Sequence, residues 1–208
     1  MQSDARIRVL SPTEKHALLS QFSLRYRSPL RNLCMIRLML EAGLRCGEVI
    51  SLEIGFLDLE NARLRVRGAR ARDRIVPLGD NLVHLIRLWL YRRPRSRWLF
   101  STRDGNQLDT RYVRDMVKRY AKRADLPQAE SVSPRVLRYT YAADLYGWSH
   151  DLNLLQKRLG HHYRSSTVSY MKIVATGMQQ RRSLSTQVNR VRSEDEGPES
   201  EWDSNRHF

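Results

Sequence analysis

Ser133-Pro134-Arg135-Val136-Leu137-Arg138, then Leu159-Gly160-His161, then Ser165-Ser166-Thr167-Val168-Ser169-Tyr170: no other part of the chain puts so much chemistry on so regular a frame. Ser133-Pro134 is a helix start, with serine as N-cap and proline in the first turn. Arg135 and Arg138 lie three apart on that helix, so they share a face on which one oxyanion can meet both guanidinium groups. Val136, Leu137, Tyr141 and Leu145 supply its core-facing side. Asp151 opens a second helix that Gly160 closes, and Ser165 or Ser166 opens the helix bearing Tyr170. A histidine just past a helix-terminating glycine belongs in a cleft rather than a core, which separates His161 from its surface neighbour His162. Cleaving a phosphodiester by covalent transfer needs cations on the non-bridging oxygens, a hydroxyl nucleophile and a proton-handling neighbour. All three are present between Ser133 and Tyr170.

Upstream, Ser11-Pro12-Thr13-Glu14 has the form of a capping box, and Ser28-Pro29 starts a helix that is apolar nearly all round, the mark of a buried central element. Gly43 ends that helix. Arg45 then opens a short helix carrying Glu48, Val49 and Leu52, an arrangement that on its own reads first as a structural ion pair and becomes a phosphate ligand with Glu48 in support only beside the other boxes. Residues 62–68 and 73–78 alternate charged with apolar side chains (Leu64, Val66; Ile75, Pro77), which predicts a hairpin of two half-buried strands joined by a basic turn. Residues 81–93 form an amphipathic helix stopped by Pro94, and Trp98-Leu99-Phe100 offers a third short strand. Thr110 caps a helix rich in cations, among them Lys118 and Lys122. The expected fold is mainly α-helical with a small antiparallel sheet of two or three strands.

The formal net charge of +15 over 208 residues points to a polyanionic partner, because cations that neutralise phosphates release counterions. The charge is uneven: from Ser193 onward there are six acids and one arginine, leaving 36 basic against 16 acidic residues before it. Residues 193–208 read as an acidic, disordered tail. Cys34 and Cys46 are too few for a disulfide framework and sit in apolar helical contexts. No apolar run approaches a membrane span of ~18 residues and no signal-peptide pattern opens the chain, so a soluble, intracellular protein is expected.

These boxes resemble the tyrosine recombinase (phage integrase) family. In that family a helix reads His-x-x-Arg, a later Leu-Gly-His supplies an imidazole, and the nucleophilic tyrosine follows nine positions on. Arg138, Gly160-His161 and Tyr170 stand at those places, and Gly43-Leu44-Arg45-Cys46-Gly47-Glu48 with Leu52 is similar to the family's upstream arginine box. The resemblance covers residues 10–175 and implies the family's catalytic-domain fold. It further implies that Arg45 and Arg138 clamp a scissile phosphate, His161 adds a hydrogen bond, Arg135 stands near as a further cation or donor, and Tyr170 forms a 3′-phosphotyrosine without metal or cofactor. Double-stranded DNA and a homo-oligomer assembled on it, dimer to tetramer, are the implied partners. Residues 1–175 would be the catalytic domain, with no separate N-terminal core-binding domain, and 176–192 a C-terminal docking segment. A prokaryotic, viral or mobile-element origin goes with it.

Two positions depart from the family pattern. Arg135 stands where a histidine is usual. Aligned on Val76-Pro77-Leu78, the hairpin Gly68-Ala69-Arg70-Ala71-Arg72-Asp73-Arg74 places Ala69 where the family carries its catalytic lysine. Arg70 and Arg72 can hold the hairpin on DNA but are poor acids, since arginine rarely gives up a proton. The expected consequence is slow cleavage, unless Lys118 or Lys122 reaches in, with Ala69→Lys raising the rate. The alternatives are a recombinase-derived DNA-binding protein that no longer cuts, and a type IB topoisomerase-like activity.

Overall fold

The computed structural model describes residues 8–68 and 73–195, with side chains placed through residue 179. Ala69, Arg70 and Arg72, and the tail from residue 196, therefore lie outside the described residues. The chain runs α1 (Pro12–Leu19), α2 (Arg27–Glu41), α3 (Cys46–Ile50), β1 (Leu57–Asp58), β2 (Arg63–Val66) and β3 (Arg74–Pro77). It continues through α4 (Asp80–Arg92), α5 (Thr110–Arg123), α6 (Pro134–Ser149), α7 (Leu152–Leu159) and α8 (Arg164–Asp195). The expected architecture, helical with one small antiparallel sheet, is what forms.

Local signals account for most helix starts. Ser11 Oγ accepts from the Glu14 N–H at 3.1 Å while Glu14 Oε2 accepts from the Ser11 N–H at 2.7 Å, the reciprocal pair that closes a capping box ahead of α1. Ser133 caps α6 and Asp151 caps α7. Asp109, not Thr110, caps α5, accepting from the Arg111 N–H at 3.1 Å; its carboxylate reaches the first turn where the threonine is already inside it.

α2 is the central element. It buries Leu30, Leu33, Met35, Ile36, Leu38 and Met39, and packs against α4 on one side and α6 on the other. Each such side chain contributes roughly 1.5–3 kcal/mol by leaving water. α6 is shared between two apolar clusters: Val136 and Leu137 join the main core, whereas Tyr139, Tyr141, Ala142 and Ala143 pack with Leu155, Leu159 and Val174 of α7 and α8. The candidate site forms where these two clusters meet.

The sheet has the order β1-β2-β3 and is antiparallel throughout, with Leu64 opposite Val76 and Arg65 opposite Ile75. Its third strand is Leu57–Asp58; Trp98 makes only an isolated bridge to Glu53. β3 also faces opposite to the expected way. Val76 is buried, Ile75 is 60 % exposed, Pro77 lies on the outer face, and Arg74 points inward. Side chains alternate strictly along a strand, so once Val76 pairs with Leu64 on the core face, Arg74 must follow it. The cost of turning a guanidinium inward is met by a buried carboxylate. α8 starts at Arg164 and continues without a break to Asp195, past the start of the expected tail.

Candidate active site

The turn after α2 begins the site. Gly43 adopts φ +65°, and a Cβ there would lie 2.4 Å from the Tyr141 ring, so only glycine allows α6 to approach this closely. Arg45 follows as the N-cap of α3 and Glu48 falls one turn in, where its Oε2 accepts the Arg45 backbone N–H at 2.7 Å.

Glu48 is the hub. Arg74 donates to it through two parallel bonds of 2.8 Å, Nη1 to Oε1 and Nη2 to Oε2, and Arg45 Nη1 donates to Oε1 at 2.8 Å. Arg138 Nη1 stands 3.8 Å from Oε2. Burial alone would push this carboxyl up, but the hydrogen bonds and charge of Arg74, the Arg45 N–H and the charge of Arg138 outweigh it and bring the pKa to about 2. Three guanidinium groups against one carboxylate leave the cluster strongly cationic.

Arg138 is 5 % exposed. Its Nη1 donates to the Gly43 carbonyl and its Nη2 to the Leu159 carbonyl at 2.7 Å, so one side chain ties the α2–α3 turn to the end of α7. Burial, then the charge of Arg45, lowers its pKa to about 10, which leaves it protonated at neutral pH. Arg74 makes a parallel tie, Nε donating to the Arg158 carbonyl at 3.0 Å. Gly160 makes room for it: φ is +65° and a Cβ would sit 3.0 Å from Arg74 Cδ.

His161 follows directly. Its Nδ1 lies 3.1 Å from Oγ1 of the fully buried Thr167, which fixes the ring. Burial and the charges of Arg138, Arg45 and Arg74 press its pKa down to about 4, so the imidazole is neutral at pH 7. The Tyr170 ring packs between His161, edge-on at 5.2 Å, and Tyr139 at 4.8 Å. The Tyr170 hydroxyl is buried beside the Arg138 guanidinium yet makes no hydrogen bond of ordinary geometry. Burial raises the phenol to about 12, against the pull of Arg138. A buried hydroxyl set against a guanidinium without a well-formed bond suits a group whose best partner arrives with a ligand.

Arg45, Arg138, His161 and Tyr170 thus converge from four separated parts of the chain. Residues 8–176 match the phage integrase family. The chain belongs to that family.

Among relatives of this integrase domain, the tyrosine recombinase XerC of Pelotomaculum thermopropionicum is 31 % identical over 155 residues, 69 % of this chain and 50 % of that protein. XerD of Vibrio cholerae is 30 % identical over 178 residues, 82 % of this chain and 59 % of its own length. The chain spans about half the length of the curated relatives it matches. The XerH site-specific recombinase, in a post-cleavage complex with palindromic difH substrate, superposes with a TM-score of 0.72 at 25 % identity, over 88 % of this chain and 55 % of that one. XerA recombinase shares the fold, with a TM-score of 0.70 at 24 % identity, over 84 % of this chain and 65 % of that one.

Other expected residues of this integrase domain lie apart from the Glu48 cluster. Arg135 is exposed and its guanidinium sits 5.6 Å over the Tyr139 ring, which itself packs on Tyr170, and its charge, like that of Arg138, pulls the Tyr170 phenol down. Lys118 and Lys122 both pair with Glu130, in the turn that leads into α6. Conversely, Arg74 and Thr167 escaped notice. An arginine within an alternating strand reads as a solvent-facing residue; the available signal was Glu48, an acid in a buried turn that required a cation.

Proposed function

We propose that the chain is the catalytic domain of a site-specific DNA recombinase that cuts and rejoins double-stranded DNA through a 3′-phosphotyrosine at Tyr170. The observation that carries this reading is the buried Tyr170 hydroxyl set against the Arg138 guanidinium, beside a neutral His161. Arg138 and the 46 % exposed Arg45 would hold the non-bridging oxygens of the scissile phosphate and stabilise the charge that builds on them at the pentacoordinate stage. Arg74 and Glu48 position both arginines. Tyr170 loses its proton, its oxygen bonds to phosphorus, the bond to the 5′ oxygen breaks and that oxygen takes up a proton. His161, uncharged, adds a hydrogen bond to the phosphate. Attack by a different 5′ hydroxyl reverses the steps and exchanges strands, so no metal or nucleotide cofactor enters.

Arg135 would stand by as a further cation or donor at the phosphate, Lys118 and Lys122, with Arg70 and Arg72 of the hairpin, would contact the DNA backbone, and residues 176–192 would dock on a neighbouring protomer in a dimer or tetramer assembled on DNA in the cytoplasm. Ala69 favours slow release of the 5′ oxygen, because lysine supplies a proton there far more readily than arginine. It also supports the second reading, a DNA-binding protein that no longer cuts. A nicked suicide duplex separates the two: a denaturation-resistant protein–DNA adduct, lost in Tyr170→Phe, supports cleavage. Retarded DNA with no adduct supports binding alone.

A further inference from the structure

Thr167 enters α8 one turn before Tyr170, so helical spacing sets its side chain on the same side as the phenol. It is fully buried. Hydroxyls within helices commonly donate back to the carbonyl four residues earlier, and two threonines here do so, Thr140 to Val136 at 2.9 Å and Thr176 to Lys172 at 3.1 Å. Thr167 does not. Among the described residues its Oγ1 has one hydrogen-bond partner, the His161 ring nitrogen Nδ1 at 3.1 Å. The His161 backbone is held as well: its N–H donates to the Gln156 carbonyl at 3.1 Å, and its carbonyl accepts from Gln156 Nε2 at 3.2 Å.

Counting donors and acceptors selects a tautomer. The hydroxyl has one proton to give, and a neutral imidazole has one N–H and one bare nitrogen. If Nδ1 carried the ring proton and gave it to Oγ1, the Thr167 proton would be left fully buried with no acceptor. If Thr167 donates, Nδ1 is the bare nitrogen and the ring proton sits on Nε2, which has no protein partner among the described residues. The guanidinium groups of Arg138, Arg45 and Arg74 oppose a second ring proton. We propose that Thr167 is a positioning residue that fixes His161 as the Nε2–H tautomer, which makes the imidazole a hydrogen-bond donor toward the scissile phosphate and not a base for Tyr170. The role at the phosphate rests on the reaction proposed above, whereas the tautomer stands without it.

Nitrogen NMR of the full chain with isotope-labelled histidine at neutral pH reads the tautomer, because bare and protonated ring nitrogens resonate far apart; His161→Gln identifies the signal among the six histidines. Wild type carries its proton on Nε2. Thr167→Val keeps the side-chain shape without the hydroxyl, so the Nδ1 signal moves and the tautomers mix, and Thr167→Ser restores both. On the nicked suicide duplex at saturating DNA, Thr167→Val forms adduct about tenfold more slowly and Thr167→Ser recovers the rate, as expected for one hydrogen bond. A wild-type ring protonated on Nδ1, ring signals unchanged in Thr167→Val or not restored in Thr167→Ser, or an unchanged adduct rate in Thr167→Val overturns the proposal. The wild-type spectrum decides the tautomer even where a variant fails to fold. A wild type that shows the Nε2–H tautomer but forms no adduct refutes cleavage at Tyr170 and upholds the assignment of Thr167.

Discussion

Replacing Arg74 by methionine removes the cation that meets Glu48 at two 2.8 Å bonds, with the two side chains 9 % and 10 % exposed. Two routes give the size of the effect. The fall of the Glu48 pKa from 4.5 to about 2 corresponds to about 3 kcal/mol in favour of the charged, paired state, part of it owed to Arg45 and Arg138. Breaking a buried pair from one side costs about 3–5 kcal/mol, because the remaining charge is stranded. Arg74→Met is therefore expected to destabilise the fold by about 3 kcal/mol or more. At a urea dependence of about 2 kcal/mol per molar, the midpoint drops by roughly 1.5–2.5 M. The double variant Glu48→Gln with Arg74→Met loses less than the sum of the single changes, since the stranded charge is gone. The pH dependence has a definite sign. A carboxyl depressed by folding stabilises above its unfolded pKa, so the gap between wild type and Arg74→Met is full above about pH 4.5 and narrows toward pH 2. A loss under about 1 kcal/mol, or strict additivity in the double variant, would refute the assignment of Glu48 as the hub.

Gly43→Ala forces a Cβ into the Tyr141 ring at a left-handed turn, so melting should show a loss of about 1–2 kcal/mol or more, with weaker adduct formation because the Arg138 acceptor moves. His161 is pressed to about 4 from 6.5, so the unfolded chain takes up its proton first on acidification. Melting curves of His161→Gln should accordingly fall less steeply than wild type between pH 6.5 and 4; parallel curves would contradict the neutral imidazole. If Lys118 and Lys122 contact phosphates, each change to alanine lowers the salt dependence of DNA binding by about one ion, and Glu130→Gln, which frees both lysines, strengthens binding at low salt. Titration of labelled duplex at several salt concentrations reads both.

What the sequence made legible was the part written in local rules. Ser133, Asp151, Gly43 and Gly160 mark helix ends through caps and left-handed turns, which depend on a few neighbouring residues, and so the frame holding Arg138, His161 and Tyr170 could be laid out in advance. The hidden part depended on contacts between distant segments. Ile75 and Pro77 looked like the inner face of β3 because they are apolar, but pairing of Val76 with Leu64 turned Arg74 inward instead. Arg135 and Arg138 share a helical face by spacing, yet Arg138 is drawn to the Gly43 and Leu159 carbonyls, tens of residues away, while Arg135 rests on Tyr139 one turn along the same helix. Leu57-Asp58, too short to announce itself as a strand, became one because β2 offered an open edge.

The central claim is that Tyr170, out of nine tyrosines, is the group that bonds to DNA. Trapping the adduct on a suicide duplex, trimming the DNA with nuclease, digesting the protein and sequencing the modified peptide by mass spectrometry reads this directly. A nucleotide remnant on Tyr170, absent from Tyr170→Phe, is the predicted result; a remnant on any other residue, or an adduct that persists in Tyr170→Phe, would contradict it.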